Sequence, residues 1–309
     1  MHETDNVNPR RALTAISSLF LAAVFSASCQ VVGGYDEFEV GVPAKVGAQA
    51  HACDVVVEKQ YPTRKKSGLH GPNLLLIDDP SVQCFWMDET EVTVAQYRAW
   101  LTDIAGESSL VWDGSNCAEK PGSARPFDPD GNTADCVPPK ELSIAPFDDG
   151  QPIRCVDWCE ADAFCQWAGK RLCKVAPSDE WQTACTADYT QQLPFDASAE
   201  GSPCNYGQTN CSLGCGPRPV KLEKSCRPAP GYPYDLGGNV AEWIDSCSRD
   251  ANGTTNCKLR GGSYLTPEAK IRCSNSQAEG VAFGAARDPG VGFRCCAGLT
   301  ESERLLLPD

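Results

Sequence analysis

The stretch that decides the fold is YDLGGNVAEW, residues 234–243. A Gly-Gly-Asn turn separates two carboxylates, Asp235 and Glu242, and glycine lets the chain fold back with its carbonyl oxygens directed inward. Carboxylates and converging carbonyls are the ligands that calcium prefers, although this spacing matches no EF-hand loop. The alternative is a surface turn whose apolar side chains enter the core while both acids stay in solvent. The local sequence leaves both interpretations open.

Composition limits the partners of the chain. Its 309 residues are 41% hydrophobic, which is enough for a core in one large domain or two small ones. The formal net charge is −14. An acidic surface repels phosphate backbones and the sequence contains no evident basic patch, so nucleic acid is not an expected partner.

The N-terminus is typical of an export signal. An Arg-Arg pair precedes an apolar run over residues 12–25, which is too short to span a bilayer and has the length of a signal-peptide core. The following Ser26-Ala27-Ser28-Cys29 resembles a bacterial lipobox, whose cysteine is acylated, and would also serve ordinary signal peptidase. We predict a signal peptide over residues 1–28 and a lipid anchor at Cys29. The exported protein would then be attached to the cell envelope, at the outer membrane or in the periplasm of a double-membrane bacterium.

The cysteine count favours the same location. The chain has nineteen cysteines. When Cys29 is set aside, the other eighteen are enough for nine disulfides, and that density indicates an oxidising compartment. The spacing of Cys211 and Cys215 is compatible with zinc, but no histidine lies nearby and disulfides are favoured.

Long segments at both ends lack periodicity. Residues 29–75 are predicted to form a tether and an N-terminal arm without a core of their own, and residues 299–309 a loose tail. Two further stretches, residues 106–151 and 194–233, are rich in Pro, Gly and Cys, which indicates loops stapled by disulfides.

Helices are predicted where capping residues precede an apolar pattern. A strand that starts at residue 85 leads into a helix over residues 94–104, which Thr93 caps. The clearest helix begins after Asp157, which forms a capping box with Glu160, and ends at Gly169. A shorter helix is predicted from residue 178.

Several motifs together resemble the formylglycine-generating enzyme (sulfatase-modifying factor) family and follow the family's order. They are Asp88-x-x-Glu91-Val92-Thr93-x-x-x-Tyr97, Val156-x-Trp158-x-x-Ala161, Phe164-Cys165-x-Trp167-Ala168-Gly169-Lys170-Arg171-Leu172, Glu180-Trp181, residues 234–243, Arg260-Gly261-Gly262-Ser263-Tyr264 and Gly292-Phe293-Arg294. The resemblance implies an α+β domain over residues 76–298 with the family's C-type-lectin-like fold. Such a domain is rich in irregular backbone that ions and disulfides hold in place.

The resemblance also implies calcium, because the family binds this ion at the loop of residues 234–243. The implied ligands are the side chains of Asp235 and Glu242 and the carbonyls of Gly238 and Val240. A second family site near Asn205 and Tyr206 is not expected here, because Ser212 stands where its acidic ligand should be.

The catalytic part departs from the family pattern. The family's active members hold Cu(I) with two cysteines shortly after Gly-Gly-Ser and oxidise a substrate cysteine, and thiolates are apt ligands for this soft ion. Here Thr266 stands at the first copper position, the segment supplies no second one, and Cys273 matches a structural cysteine. Ala241 also replaces a pocket tryptophan. Copper is therefore not expected. The catalytic residues, if any, stay unidentified, and four pocket residues are the candidates: Arg260, Ser263, Tyr264 and Thr266.

Histidine chemistry is not expected in the domain either, because His2, His51 and His70 all precede it. Neither a histidine-held iron nor a Ser-His-Asp arrangement can then form inside it. We expect an exported, non-catalytic, calcium-stabilised module that binds a protein, peptide or glycan. Two alternatives remain open: a formylglycine-generating oxidoreductase with relocated catalytic residues, and a structural envelope lipoprotein.

Overall fold

The computed structural model describes residues 53, 65–66, 68–79, 83–107, 112, 115–117, 120, 125–131, 136, 146–187, 192–195, 203–208, 215–251, 253, 255–274, 277–279 and 287–304. The predicted signal peptide and the acylation site at Cys29 lie outside these residues. The chain divides into two units, residues 1–40 and 41–309, and all described residues belong to the second. No helix in this described part combines the length and the apolar character needed to cross a membrane.

One sheet has five strands in the order β1-β2-β3-β9-β4, and neighbours are antiparallel. The strands are β1 (Lys65–Lys66), β2 (Leu74–Asp79), β3 (Gln83–Asp88), β4 (Arg171–Leu172) and β9 (Cys295–Gly298). The apolar run of β2 is buried on both faces. Leu74 and Leu76 pack with Trp86, whereas Leu75 and Ile77 pack on the opposite side of the strand. A continuous apolar run is the pattern expected of a strand covered on both sides.

The second sheet has four strands in the order β7-β6-β5-β8. They are β5 (Ala241–Arg249), β6 (Thr255–Arg260), β7 (Gln277–Glu279) and β8 (Val291–Phe293), and β8 runs parallel to β5. Glu242 at the start of β5 lies opposite Arg260 of β6 and Gly292 of β8. The buried half of β5 therefore continues directly from the loop of residues 234–243.

The predicted helix boundaries agree with the structure. The helices are α1 (Val94–Asp103), α2 (Trp158–Trp167), α3 (Glu180–Thr186) and α4 (Glu301–Arg304). Thr93 and Asp157 cap α1 and α2, each within a capping box. The cap of α3 is Asp179, one residue later than the predicted start.

An aromatic cluster joins the two longer helices to the second sheet. Phe164 of α2 lies 6.0 Å from Tyr97 and Trp100 of α1 and 5.3 Å from Phe293 of β8, measured between ring centroids. All four rings are buried. Such edge-to-face and stacked pairs stabilise a core beyond the apolar area that they bury.

All seventeen described cysteines are disulfide-bonded. Eight bonds join described partners: Cys53–Cys84, Cys117–Cys159, Cys136–Cys155, Cys165–Cys295, Cys173–Cys296, Cys185–Cys273, Cys204–Cys226 and Cys247–Cys257. Cys215 pairs outside the described residues, which agrees with a disulfide rather than zinc at this cysteine. This density indicates an exported protein that folds in an oxidising compartment.

The arm and the tail pack more closely than predicted. The expected domain boundary at residue 76 falls inside β2, and Cys53 is buried in a disulfide with Cys84. Glu303 in the expected loose tail is also buried. Its carboxylate accepts hydrogen bonds from Lys66 at 3.0 Å and from Trp86 at 3.2 Å. The N-terminal arm and the C-terminal tail therefore meet at the indole ring of Trp86 in β3.

The Glu303 contact makes a prediction about pH. Burial alone would raise the pKa of Glu303, but hydrogen bonds from the Thr300 amide, Lys66 and Trp86 hold it at about 2, below its ordinary 4.5. A lowered acid pKa adds stability above the unfolded pKa, and this stability is lost as the pH falls through the folded pKa. At neutral pH, Glu303→Gln should cost about 2 kcal/mol of unfolding free energy.

The cost should shrink between pH 4.5 and 2, measured by urea unfolding with the disulfides intact. Glu301→Gln, on the exposed side of α4, is the matched control and should change little at any pH. A cost of Glu303→Gln that persists undiminished at the acidic end would contradict this account.

Candidate functional site

The loop of residues 234–243 is held in a conformation that few residues adopt. Asp235, Gly238 and Asn239 all have positive φ, at 58°, 85° and 54°. A Cβ atom on Gly238 would lie 2.3 Å from the carbonyl oxygen of Asn205, so glycine is required there. The amide of Asn239 donates to that same carbonyl at 2.7 Å. The close approach of these two segments fixes the path of the loop.

Glu242 forms a buried ion pair with Arg294. Nε and Nη2 of Arg294 each lie 2.7 Å from one oxygen of Glu242, and neither side chain is exposed. Trp181 donates its indole N–H to the same carboxylate at 2.8 Å. Arg294 also donates to the carbonyls of Tyr234 at 2.8 Å and Asp88 at 3.1 Å. One guanidinium thus joins β3, β5 and the start of the loop.

Two further carboxylates lie beside this pair. Glu91 is fully buried and accepts hydrogen bonds from the amide of Val240 at 3.1 Å and the side chain of Asn239 at 2.9 Å. Asp235 is 6% exposed and accepts the amide of Lys221 at 2.6 Å. Neither Asp235 nor Glu242 lies in solvent, so a surface turn does not describe this loop.

This acid cluster, defined as Glu91, Asp235 and Glu242, contains more negative charge than Arg294 balances. Burial raises the pKa of Glu91 well above its ordinary value, and repulsion from Asp235 and Glu242 adds to the shift. Burial likewise raises the pKa of Asp235 to about 6, again with a contribution from Glu242. Shifts of this kind mark a buried site that favours an added proton or an added cation.

The donor types at this loop, carboxylate and carbonyl oxygens, are those that calcium prefers. Oδ1 of Asp235 accepts no hydrogen bond from the described residues, and Oε1 of Glu242 accepts only the one from Arg294. Both predicted ligand side chains therefore keep lone pairs for a cation. Gly238 and Val240, whose carbonyls the resemblance adds to the set, lie between them in the same turn. Hard oxygen donors with surplus negative charge are what calcium requires.

Asn205, near which the resemblance would place a second calcium site, bonds to neighbouring groups of the protein. The side-chain oxygen of Asn205 accepts a hydrogen bond from Gln208. Its NH2 group donates to Asn239 at 3.0 Å and to the carbonyl of Gly216 at 3.2 Å. Ser212, which stands in place of the acidic ligand, lies outside the described residues. The polar groups of Asn205 are satisfied within the protein.

The four pocket candidates are all buried, and the hydroxyls of Ser263 and Thr266 bond to the backbone of their own turn. Ser263 donates its amide to the hydroxyl of Thr266 at 2.9 Å, and its own hydroxyl accepts the amide of Leu265 at 3.3 Å. Tyr264 packs against Cys215. These hydroxyls close a tight turn, which is a structural use of serine and threonine.

Arg260, the fourth candidate, pairs with Asp179, the N-cap of α3. Its Nε is buried and has no hydrogen-bond partner within the described residues. The predicted pocket therefore brings Ser263, Tyr264 and Thr266 into one turn, whereas Arg260 is bonded to the neighbouring helix.

No described residue offers a thiolate to this pocket, because every described cysteine is in a disulfide. Cys273 is bonded to Cys185, which agrees with its expected structural role. Two clusters bring three potential metal ligands together, but in each the two cysteines are bonded to one another: Cys53, Asp78 and Cys84, and Cys173, Glu180 and Cys296. His70 is exposed and stacks on Trp167 at 4.1 Å between ring centroids.

Sequence reasoning placed Glu91, Trp181 and Arg294 in motifs but gave them no role in the site. The available signal was the apolar setting of the two charges, since Glu91 precedes Val92 and Arg294 follows Phe293. A charge next to buried apolar residues indicates a buried pair, but it does not name the partner.

Known proteins resemble this chain over the same region. The family model of the sulfatase-modifying factor enzyme 1-like domain matches residues 77–299. The inactive C-alpha-formylglycine-generating enzyme 2 of Bos taurus is 30% identical over 161 residues, 48% of this chain and 50% of that protein. The formylglycine-generating enzyme of Mus musculus is 28% identical over 172 residues, 47% of this chain and 44% of that protein. The chain spans about half the length of these curated relatives.

A solved structure also aligns with the domain. The structure of PvdO from Pseudomonas aeruginosa superposes with a TM-score of 0.46 at 19% identity, and it covers 74% of this chain and 95% of that one.

The Arg294–Glu242 pair yields a stability prediction. Arg294→Met leaves three buried carboxylates without their guanidinium, which should cost about 3–5 kcal/mol of unfolding free energy. Urea unfolding with intact disulfides would measure the loss. Arg218→Met, which breaks a half-exposed pair with Glu223, is the control and should cost less than about 1 kcal/mol.

A double variant separates the pair from simple loss of packing. Arg294→Met combined with Glu242→Gln removes both charges, so its cost should be smaller than the sum of the two single costs. Additive costs, or an Arg294→Met cost no larger than that of the control, would show that the pair does not hold the fold.

Proposed function

This chain belongs to the sulfatase-modifying factor enzyme 1-like family, and from that premise we propose that it is an exported, non-catalytic member that acts as a calcium-stabilised binding module. The observation that carries the proposal is the turn at Ser263. Its hydroxyl and that of Thr266 bond to the backbone of their own turn, and every described cysteine is in a disulfide. The relative from Bos taurus that is described as inactive gives the proposal a precedent in the family.

The chemistry of the turn supports the loss of copper oxidation. The family's Cu(I) site would need two soft thiolates to hold the metal. A threonine hydroxyl is a hard, neutral donor, and Thr266 already accepts the amide of Ser263. The disulfide between Cys185 and Cys273 removes the nearest downstream thiol from the segment. The scaffold is kept while the redox ligands are gone.

Calcium is proposed at Asp235 and Glu242, with the carbonyls of Gly238 and Val240. When bound, the ion would supply two positive charges to an acid cluster that only Arg294 balances. Burial is the main cause of the raised pKa of Asp235 and repulsion from Glu242 adds to it, and a bound cation would relieve that repulsion. The calcium site would therefore be structural, because it lies within the buried ion network.

The proposed module binds a protein, peptide or glycan through its irregular loops, and acylation at Cys29 would attach it to the cell envelope. The retained scaffold without redox ligands favours binding over the alternative of a formylglycine-generating oxidoreductase. One assay distinguishes the binding module from the oxidoreductase.

The purified protein should not convert a sulfatase-type cysteine peptide to formylglycine in the presence of Cu(I) and oxygen. The reason is that no described thiolate can hold the metal. Mass spectrometry of the peptide measures the conversion, and the Mus musculus formylglycine-generating enzyme serves as the positive control. Conversion above the level of a Ser263→Ala variant would establish the oxidoreductase alternative instead.

Calcium should raise the thermal midpoint relative to the protein in chelator. If free calcium is about a hundredfold above Kd, the shift should be about 5–10 °C. Asp235→Ala should abolish the shift, while Asp245→Ala, on the exposed part of β5, should keep it. Glu242→Ala is unsuitable because it also removes the partner of Arg294. Equal wild-type midpoints in calcium, magnesium and chelator would refute the site.

A further inference from the structure

The segment of residues 217–232, called here the basic loop, concentrates positive charge on an acidic protein. It contains Arg218, Lys221, Lys224 and Arg227 but only one acid, Glu223. The chain as a whole has a net charge of −14. A local surplus of this sign gives the loop a potential opposite to that of the remaining surface.

The basic loop also exposes an aliphatic side chain. Leu222 is 53% exposed, next to Lys221 and two residues before Lys224. Within the described residues the other large hydrophobic side chain with comparable exposure is Leu69, at 40%. A single exposed leucine is ordinary, but one set among cations is the composition of an interfacial membrane contact.

The exposure of Leu222 is imposed by the backbone. Lys221 has a φ of 60°, which a non-glycine residue rarely adopts, and its amide donates to Asp235 at 2.6 Å. The amide of Val220 donates to the carbonyl of Gly150 at 2.9 Å. A disulfide between Cys204 and Cys226 anchors the loop further along. The loop is therefore fixed with Leu222 pointing outward.

The positive surface extends beyond the loop. Lys221 Nζ and the Arg227 guanidinium lie 4.8 and 4.7 Å from the ring centroid of Tyr234. Glu89 pairs with Lys221 at 2.7 Å and with Lys65 of β1 at 2.8 Å. With Lys65 and Glu89 included, this surface has five cations and two acids, and the adjoining turn adds two exposed acids, Asp148 and Asp149, of which Asp149 pairs with Arg98.

We propose that the basic loop docks on an anionic lipid bilayer, with Leu222 among the headgroups and the lysine stems beside it. Long Lys side chains can bury their methylenes while their ammonium groups stay at the phosphates. Each cation near such a surface contributes about a fivefold gain in affinity. A soluble polyanion would match the charge but would leave Leu222 in water, so the bilayer is favoured.

The proposal does not depend on calcium or on the lack of catalysis. It also adds to a lipid anchor, since an acyl chain on Cys29 would tether the chain without orienting the domain.

The test uses the mature chain without residues 1–28 and with Cys29→Ala, so that neither the apolar signal segment nor an acyl group contributes. It is mixed in chelator with phosphatidylglycerol-containing vesicles or with pure phosphatidylcholine vesicles, and co-sedimentation is measured. Binding is expected on the anionic vesicles alone, and it should weaken as salt rises. Leu222→Ser should reduce affinity about tenfold, and Lys224→Glu by tenfold or more.

Two matched variants serve as controls. Leu69→Ser removes the other exposed leucine, and Lys258→Glu makes the same charge change at an exposed position of β6. Both should bind as the parent does. Equal binding to the two vesicle types, or equal losses in the control variants, would overturn the proposal. Binding to a soluble polyanion but not to vesicles, or dimerisation in sedimentation velocity without lipid binding, would assign the basic loop to another partner and overturn it as well.

Discussion

The buried contact between Arg294 and Glu242 is the interaction on which the rest of the domain depends. Moving both charges out of water costs several kcal/mol per ion, and a single pairing rarely offsets that cost. Arg294 offsets it with four hydrogen-bond donations, two to Glu242 and one each to the carbonyls of Tyr234 and Asp88. Those carbonyls belong to the loop and to β3, so the guanidinium is satisfied only when these parts of the chain are in place.

Two disulfide-bonded cysteines follow Arg294 directly in the sequence. Cys295 is bonded to Cys165 of α2, and Cys296 to Cys173 just after β4. Residues that follow one another in a strand point to opposite faces, so the two disulfides leave β9 in different directions. The two disulfides therefore connect the segment that positions Arg294 to α2 and to the residue that follows β4. This connection also explains how a domain with so much irregular backbone keeps one buried ion network in register, since the crosslinks reduce the entropy of the unfolded chain.

Local signals allowed the sequence to predict the helices and the loop, but not the pairings between them. Thr93 and Asp157 cap helices whose apolar pattern lies within a few residues, so the prediction needed no tertiary information. Arg294 lies 52 residues from Glu242, and no local pattern announces such a pair. The sequence predicts no core for the N-terminal arm for the same reason, because the partner of Lys66 is Glu303, which lies 237 residues away in the chain.

The sequence does not predict the positive surface around the basic loop for a related reason. The cations of the loop are spaced among prolines and glycines, and the fold adds Lys65 from another segment.

The loop of residues 234–243 connects these separate features through its two acids. Glu242 faces inward to Arg294, whereas Asp235 faces the amide of Lys221 at the base of the basic loop. Glu91 holds the turn between them by accepting the amide of Val240. The hydroxyls of Ser263 and Thr266 bond within their own turn and take no part in these contacts. The ion network, together with the disulfides and the close contact at Gly238, keeps the loop and the surfaces that it supports in position.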